Sequence, residues 1–229
     1  MTAAQMTGPL IIAIDGPSAS GKSTLGRMLA RELGLLYIDT GSMYRAVALA
    51  VIESSTNQQD DVAVSLLAER IKIDLAGDPD SLSVFLDGRE VTRRIRDEDV
   101  TRVSSVVSTI PAVRRTMVRR QRELGARGAV MNGRDIGTVV FPDADIKFFL
   151  DANIGERAER RLADERAINP GAAYEQTLAD ITDRDRRDTT REDSPLVAAE
   201  DAIMIDSSGL SIDEVFQRMM AIVKDRTAR

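Results

Sequence analysis

Leu10-Ile11-Ile12-Ala13-Ile14 is a continuous apolar run, the pattern of a short strand buried on both faces. A glycine- and serine-rich turn, Gly16 to Ser23, follows it. Leu25, Met28, Leu29 and Leu33 then recur at helical spacing until Gly34 ends the pattern. Leu35 to Ile38 predicts a second strand. Helices are predicted over Ser42–Ile52, with Tyr44, Val47, Ala48 and Val51 on one face, and over Val62–Arg70. The pattern then changes period. Ile71 to Leu75 and Leu82 to Leu86 alternate every second residue across the turn Gly77-Asp-Pro-Asp80, and a third short strand is expected near Asp87-Gly88 and Val91. Two helices follow, Val100–Ile110 and Pro111–Leu124, the second with proline at its first turn. The strand–helix rhythm resumes with Ala129–Met131, Ile146–Leu150, helices Ile154–Ala167 and Tyr174–Arg191, strand Ala202–Ile205 and helix Ile212–Arg226. Alternation of this kind predicts an α/β fold, a mostly parallel sheet covered by helices on both faces. The period-two segment predicts a small antiparallel insertion. Met1 to Pro9 is expected to be a short disordered leader without a secretory pattern.

Composition narrows the chemistry. The 229 residues include no cysteine and no histidine, which removes thiolate nucleophiles, Cys- or His-based metal sites and the commonest general base. Catalysis must draw on carboxylates, arginine, lysine, backbone amides and hard cations. The net charge of −6 and an aromatic content of 3% argue against nucleic-acid binding. No apolar run reaches the roughly 20 residues of a membrane span. Of the 31 basic residues only Lys22, Lys72, Lys147 and Lys224 are lysines. Genomic base composition can produce that bias, but guanidinium forks also suit phosphate recognition, so position must decide.

Gly16-Pro17-Ser18-Ala19-Ser20-Gly21-Lys22-Ser23, followed by Thr24, matches G-x-x-x-x-G-K-[ST] between a predicted strand and a predicted helix. In such a loop the glycines let consecutive N–H groups converge on phosphate oxygens, and the helix adds its positive end. Lys22 is expected to reach the β- and γ-phosphates and the Ser23 hydroxyl to ligate Mg²⁺. The motif does not choose between a kinase, a motor, a switch GTPase and an ATPase. No Asn-Lys-x-Asp guanine signature is present and the chain is short for a motor, so a small-molecule kinase is the economical reading.

Four further constellations stand out. Tyr174, Leu178, Ile181, Arg184, Asp188 and Arg191 share one helix face, apolar at first and charged at its end; it points either inward to a ligand or wholly to solvent. Arg134 and Asp135 follow a buried strand, where ligands of open α/β sheets bind, though a loop-stabilising pair is the alternative. Asp39 to Arg45 stands likewise after the second strand, with Tyr44 either a ligand contact or core. Arg157, Arg160, Arg161 and Arg166 form either a solvated helix face or a lid closing on phosphates.

Together these residues resemble the bacterial-type cytidylate kinases, a branch of the P-loop nucleoside monophosphate kinases. The resemblance runs from Ile11 to about Lys224. It rests on Asp15 to Ser23, Asp39-Thr-Gly-Ser-Met-Tyr-Arg45, Arg119-Arg-Gln-Arg122, Gly133-Arg-Asp-Ile-Gly-Thr-Val-Val-Phe-Pro142, Arg184-Asp-Arg-Arg-Asp188 and Ala202 to Ser207. Thr40 departs from a serine frequent in relatives but keeps the hydroxyl. The resemblance implies a P-loop three-layer fold with a five-stranded parallel core (residues 10–66 and 108–229), a monophosphate-binding insertion (67–107) and a short helical lid (154–173). It implies phosphoryl transfer from ATP, with Mg²⁺, to CMP or dCMP by a cytoplasmic monomer. A P-loop kinase for UMP, AMP or a shikimate-type acceptor is the alternative. It maps acceptor contacts onto Thr40, Tyr44, Arg45, Ser105, Arg114, Arg134, Asp135, Arg184, Asp188 and Arg191. Asp135 would accept from cytosine N4, while Arg114 and Ser105 complete the base contacts. Arg184 and Asp188 would hold the sugar. Arg45, Arg134 and Arg191 would grip the acceptor phosphate, with Lys22, Arg157 and Arg161 near the transferring group.

Overall fold

The computed structural model describes residues 8–167 and 169–228; most of the expected leader lies outside them. β1 (Ile11–Asp15) leads into α1 (Lys22–Leu33), which Gly34 closes in the left-handed conformation, φ 64°. β2 (Leu36–Asp39) runs directly into α2 (Thr40–Glu53), whose first turn is capped by the Asp39 carboxylate accepting from the Gly41 amide at 3.1 Å. α3 (Asp61–Arg70) is capped by Asp60 in the same way. β3 (Ile73–Ala76), β4 (Ser83–Leu86) and β5 (Arg89–Glu90) form the expected antiparallel sheet in that order, the third strand falling just beyond the Asp87-Gly88 turn. α4 (Glu98–Val107) and α5 (Pro111–Gly125) come next, then β6 (Ala129–Asn132), β7 (Ile146–Asp151), α6 (Ile154–Arg166), α7 (Tyr174–Thr190), β8 (Ile203–Asp206) and α8 (Ile212–Thr227). α8 begins with a capping box between Ser211 and Glu214.

The five remaining strands form one parallel sheet in the order β2-β6-β1-β7-β8. Alternation along its strands divides the interior into two cores. Ile12, Ile14, Val130, Phe148 and Leu150 face α1 and α8, meeting Leu25, Leu29, Val215 and Met219. Ala13, Ile38, Ala129 and Met131 face α2 and α5, and this second core runs on without a break through Val84, Leu86, Ile95, Val100 and Val103 of the antiparallel segment. β1 and β6 are mostly apolar on both sides because helices cover both sides, while β7 carries buried Lys147, which pairs with Asp201. Each fully buried aliphatic or aromatic side chain contributes roughly 1.5–3 kcal/mol, so these two clusters, not loop contacts, fix the strand register.

That register positions the site. β1 and β6 lie side by side, but their onward connections leave in opposite directions, to β2 and to β7. A crevice opens beyond their carboxyl ends, where open α/β sheets bind ligands. Asn132, the last residue of β6, pairs with Ile14 on one side and Asp39 on the other. The pattern gave no sign of the π-helical turn Ile136–Val140 between β6 and β7.

Candidate active site

The loop after β1 has the conformation the motif demands. Gly16 has φ 144°, and a β-carbon there would lie 2.0 Å from the Leu150 carbonyl oxygen, so only glycine fits between the loop and β7. Gly21 is left-handed at φ 93° and caps α1 without a side chain. Lys22 is buried; its ammonium donates to the Pro17 carbonyl and to Ser20 Oγ at 3.2 Å. Burial, followed by the charges of Arg134 and Arg184, holds Lys22 well below the usual lysine range. Ser23 stands exposed at the start of α1, its hydroxyl accepting from Asn132 Nδ2 at 3.2 Å.

Asp15 ties this loop to the next. Its carboxylate accepts from the Ile136 and Gly137 amides at 2.8 and 2.7 Å, locking the π-helical turn to the end of β1. Burial nonetheless pushes its carboxyl up to about 6.

Above the strand ends lies a cleft of about 400 Å³. Its wall contains the loop from Ser18 to Thr24, then Asn132 and Gly133, with six cations, Lys22, Arg45, Arg134, Arg160, Arg161 and Arg184, against two carboxylates, Asp39 and Asp164. Four positive charges in excess at one wall favour a polyanion. Burial, with Arg134 next in weight, pushes Arg184 down to about 10. Crowded, partly desolvated cations of this kind are relieved by phosphate oxygens.

Beside the cleft wall runs a buried chain of ion pairs. Arg114, only 1% exposed, pairs with Asp135, donates to the Ser108 carbonyl at 3.2 Å and sits 5.7 Å over the Tyr44 ring. Arg191 lies 3.9 Å from Asp135 and 3.8 Å from Asp188, and Arg134 Nε donates to Asp188 at 2.8 Å. Burial works to raise the Asp188 carboxyl, but Arg134 and Arg184 hold it below the usual range. Buried Arg114 Nε and Arg191 Nη2 have no hydrogen-bond partner among the described residues. Unused donors in so dry a place are suited to acceptor atoms of a ligand.

The structure therefore gathers most of the residues singled out in the sequence. The α7 face carrying Tyr174, Leu178, Ile181, Arg184, Asp188 and Arg191 turns inward throughout, and the neighbouring charges Asp183, Arg186 and Arg187 take the solvent. Thr40 is buried, donating to the Asn132 carbonyl at 2.8 Å, and Arg45 reaches Asp39 at 3.3 Å. Of the expected contacts, Arg45, Arg134, Arg161 and Arg184 line the cleft, while Thr40, Tyr44, Ser105, Arg114, Asp135, Arg157, Asp188 and Arg191 do not. Ser105 does not line the cleft; its hydroxyl faces the Thr101 carbonyl of its own helix at 3.5 Å. Arg157 is buried behind the loop rather than displayed on α6. It donates to the carbonyls of Ala152 and Ser18 at 3.0 and 3.1 Å and pairs with Asp185 at 2.5 Å. Asp185 in turn accepts from the Ser18 amide at 3.3 Å, so one ion pair holds both the N–H and the carbonyl of Ser18. Arg161 does line the cleft, paired with Glu165 at 2.7 Å. Sequence reasoning passed over Asp15, Asn132, Asp164 and Asp185. Their partners lie far along the chain, and Asp185 falls outside the inward stripe of its helix.

No group of three or more carboxylates able to hold a metal ion occurs among the described residues. The cleft instead offers single hard oxygen donors, Ser23 Oγ above all. That fits a cation carried chiefly by nucleotide phosphates, as Mg²⁺ usually is. No helix among the described residues is long and apolar enough to cross a membrane.

Comparison with known proteins agrees with this arrangement. The family model described as cytidylate kinase matches residues 12–225. The cytidylate kinase of Desulforamulus reducens is 49% identical over 221 residues, covering 96% of this chain and 99% of that protein. The cytidylate kinase of Geobacter sp. strain M21 is 45% identical, covering 96% and 95%. Among solved structures, an uncharacterized protein from Eubacterium ventriosum aligns over 94% of this chain with a TM-score of 0.51 at 12% identity, a likeness of fold alone. With a match spanning the P-loop, the antiparallel segment and the arginine-bearing helices, this chain belongs to the cytidylate kinase family.

Proposed function

We propose that this protein transfers the γ-phosphoryl group of ATP to CMP or dCMP, giving CDP or dCDP and ADP, as a cytoplasmic monomer. The observation that carries the reading is the junction of a P-loop with a cation-rich cleft bordered by a buried arginine–carboxylate chain. Family membership leaves the readings for UMP, AMP or a shikimate-type acceptor, and for a nucleotide switch, without support.

In this reading residues 16–24 hold the triphosphate through backbone amides and Lys22. Ser23 Oγ is the side chain that would hold a nucleotide-bound Mg²⁺, which would supply neutralisation of phosphate charge. Residues 67–107, with Thr40 and Tyr44, form the wall for the monophosphate. Arg45, Arg134 and Arg191 orient its phosphate. Asp188 and Arg184 take sugar hydroxyls. Asp135 accepts from the cytosine amino group, with Arg114 and Ser105 completing the set. Uracil presents the opposite polarity and would strand buried groups, a mismatch worth up to roughly 10⁴-fold. An oxygen of the acceptor phosphate attacks the γ-phosphorus as its bond to the β–γ bridging oxygen breaks, and ADP leaves. That acceptor oxygen is already anionic, so a chain without histidine has no need of a strong base. Positioning and charge neutralisation by Lys22, Arg134, Arg161 and Arg191 carry the rate. Arg157 acts on the far side of the loop, donating to the Ser18 carbonyl.

Lys22→Ala tests the reading. Its bonds reach only Pro17 and Ser20 of the same loop, so the fold should persist while kcat falls by roughly 10³ or more. A folded variant with near-normal turnover contradicts it.

A further inference from the structure

Asn132 is buried at 3% exposure on the strand next to β1, and it lies in the cleft wall. One end of its amide donates to Ser23 Oγ; the other, Oδ1, is buried and has no partner among the described residues. An unsatisfied buried acceptor on a residue of a polar cleft wall is costly unless a ligand or its water completes it. The amide can also turn over, since its oxygen and nitrogen occupy equivalent positions. In that state Oδ1 accepts the Ser23 hydroxyl proton, and both lone pairs of Ser23 Oγ are free for a cation. In either orientation one end of the amide governs Ser23.

The nearest carboxylate in register, Asp39, is already committed: one oxygen caps α2 and the other meets Arg45. In P-loop proteins the metal's second protein partner is usually an aspartate. Here the position beside Ser23 holds a neutral amide.

We infer that Asn132 is a positioning residue for the nucleotide-bound divalent cation, orienting the Ser23 hydroxyl and lending an uncharged oxygen to the cation's water shell. The inference rests on the P-loop holding ATP. Because the amide carries no charge, the coupling between metal and nucleotide is weaker than a carboxylate at the same place would give.

The test measures ADP affinity by calorimetry with Mg²⁺ and with EDTA, and Mn²⁺ affinity of the ADP complex by electron paramagnetic resonance, without any acceptor. ADP binding in EDTA reports on the P-loop alone and separates failure of the functional reading from failure of this one. Asn132→Ala should weaken Mn²⁺ binding about fivefold and reduce the metal's enhancement of ADP affinity by the same factor. Asn132→Asp, nearly isosteric, should act oppositely, with ADP weaker in EDTA and Mn²⁺ tighter by about tenfold. A residue that merely supports the fold would change binding equally with and without metal. Metal enhancement within twofold of the parent protein in both variants overturns the inference. Should Asn132→Ala not fold, the Asn132→Asp result decides alone.

Discussion

Asp135→Asn removes the carboxylate partner of Arg114, an arginine only 1% exposed. Asparagine keeps the volume of the side chain and removes its charge. The side chains of Arg114 and Asp135 are 2% and 8% exposed, and no water-facing route remains for the guanidinium left behind. Arg114 would keep one hydrogen bond, to the Ser108 carbonyl, and the Tyr44 ring beneath it; its Nε is unpartnered already. Arg191 would add a second cation close to the lost carboxylate. Removing one member of a buried pair costs about 3–5 kcal/mol, and the amide oxygen recovers part of a hydrogen bond, so about 3 kcal/mol is expected. For a chain of this size each kcal/mol lowers Tm by about 2–4 °C, giving a fall of about 6–12 °C. Urea unfolding would yield the free energy, and Arg114→Met with the double variant would complete a cycle. The double variant should be much less destabilised than the two singles summed, because it leaves no charge stranded. A loss under about 1 kcal/mol in Asp135→Asn, or strict additivity in the cycle, would refute the claim that these groups depend on one another.

Two further substitutions probe the loop. Asp15 titrates in the fold near 6 against an ordinary 3.8. Its folded value is the raised one, so its contribution to stability is fully present below about pH 4 and is lost as pH rises through about 6, a change of about 3 kcal/mol. Asp15→Asn should lack that component, and urea midpoints of both proteins that ran parallel from pH 4 to 7 would contradict the assignment. Gly16→Ala places a β-carbon 2.0 Å from the Leu150 carbonyl in a left-handed conformation, so about 2–4 kcal/mol of stability and nucleotide binding should both be lost. Unaltered urea stability with normal ATP titration would show that the loop has room the geometry denies.

The limits of sequence reading follow from distance along the chain. The P-loop was legible because strand, glycines, lysine and helix are contiguous. The parallel sheet was legible because apolar runs such as Leu10 to Ile14 admit burial on both faces. The inward face of α7 was legible as a stripe but not as a destination, since a run with charge on every side reads equally well as solvated. Asp15 heads the P-loop stretch without a role of its own; the amides that give it one are more than 120 residues away. Asp185 and Arg157 pair across two helices and meet the loop 167 residues from Asp185. Arg157 carries the same spacing signal as Arg161, yet one faces the loop's back and the other the cleft. Only the packing of α6 separates them. The π-helical turn has no propensity signature and exists because Asp15 holds its amides.

Transfer to cytidine monophosphates is measured most directly by ADP release from Mg-ATP across a panel of acceptors. CMP and dCMP should stimulate release strongly, with UMP, AMP and shikimate lower by orders of magnitude in kcat/KM. Equal stimulation by UMP or AMP, or none by CMP, would contradict the account.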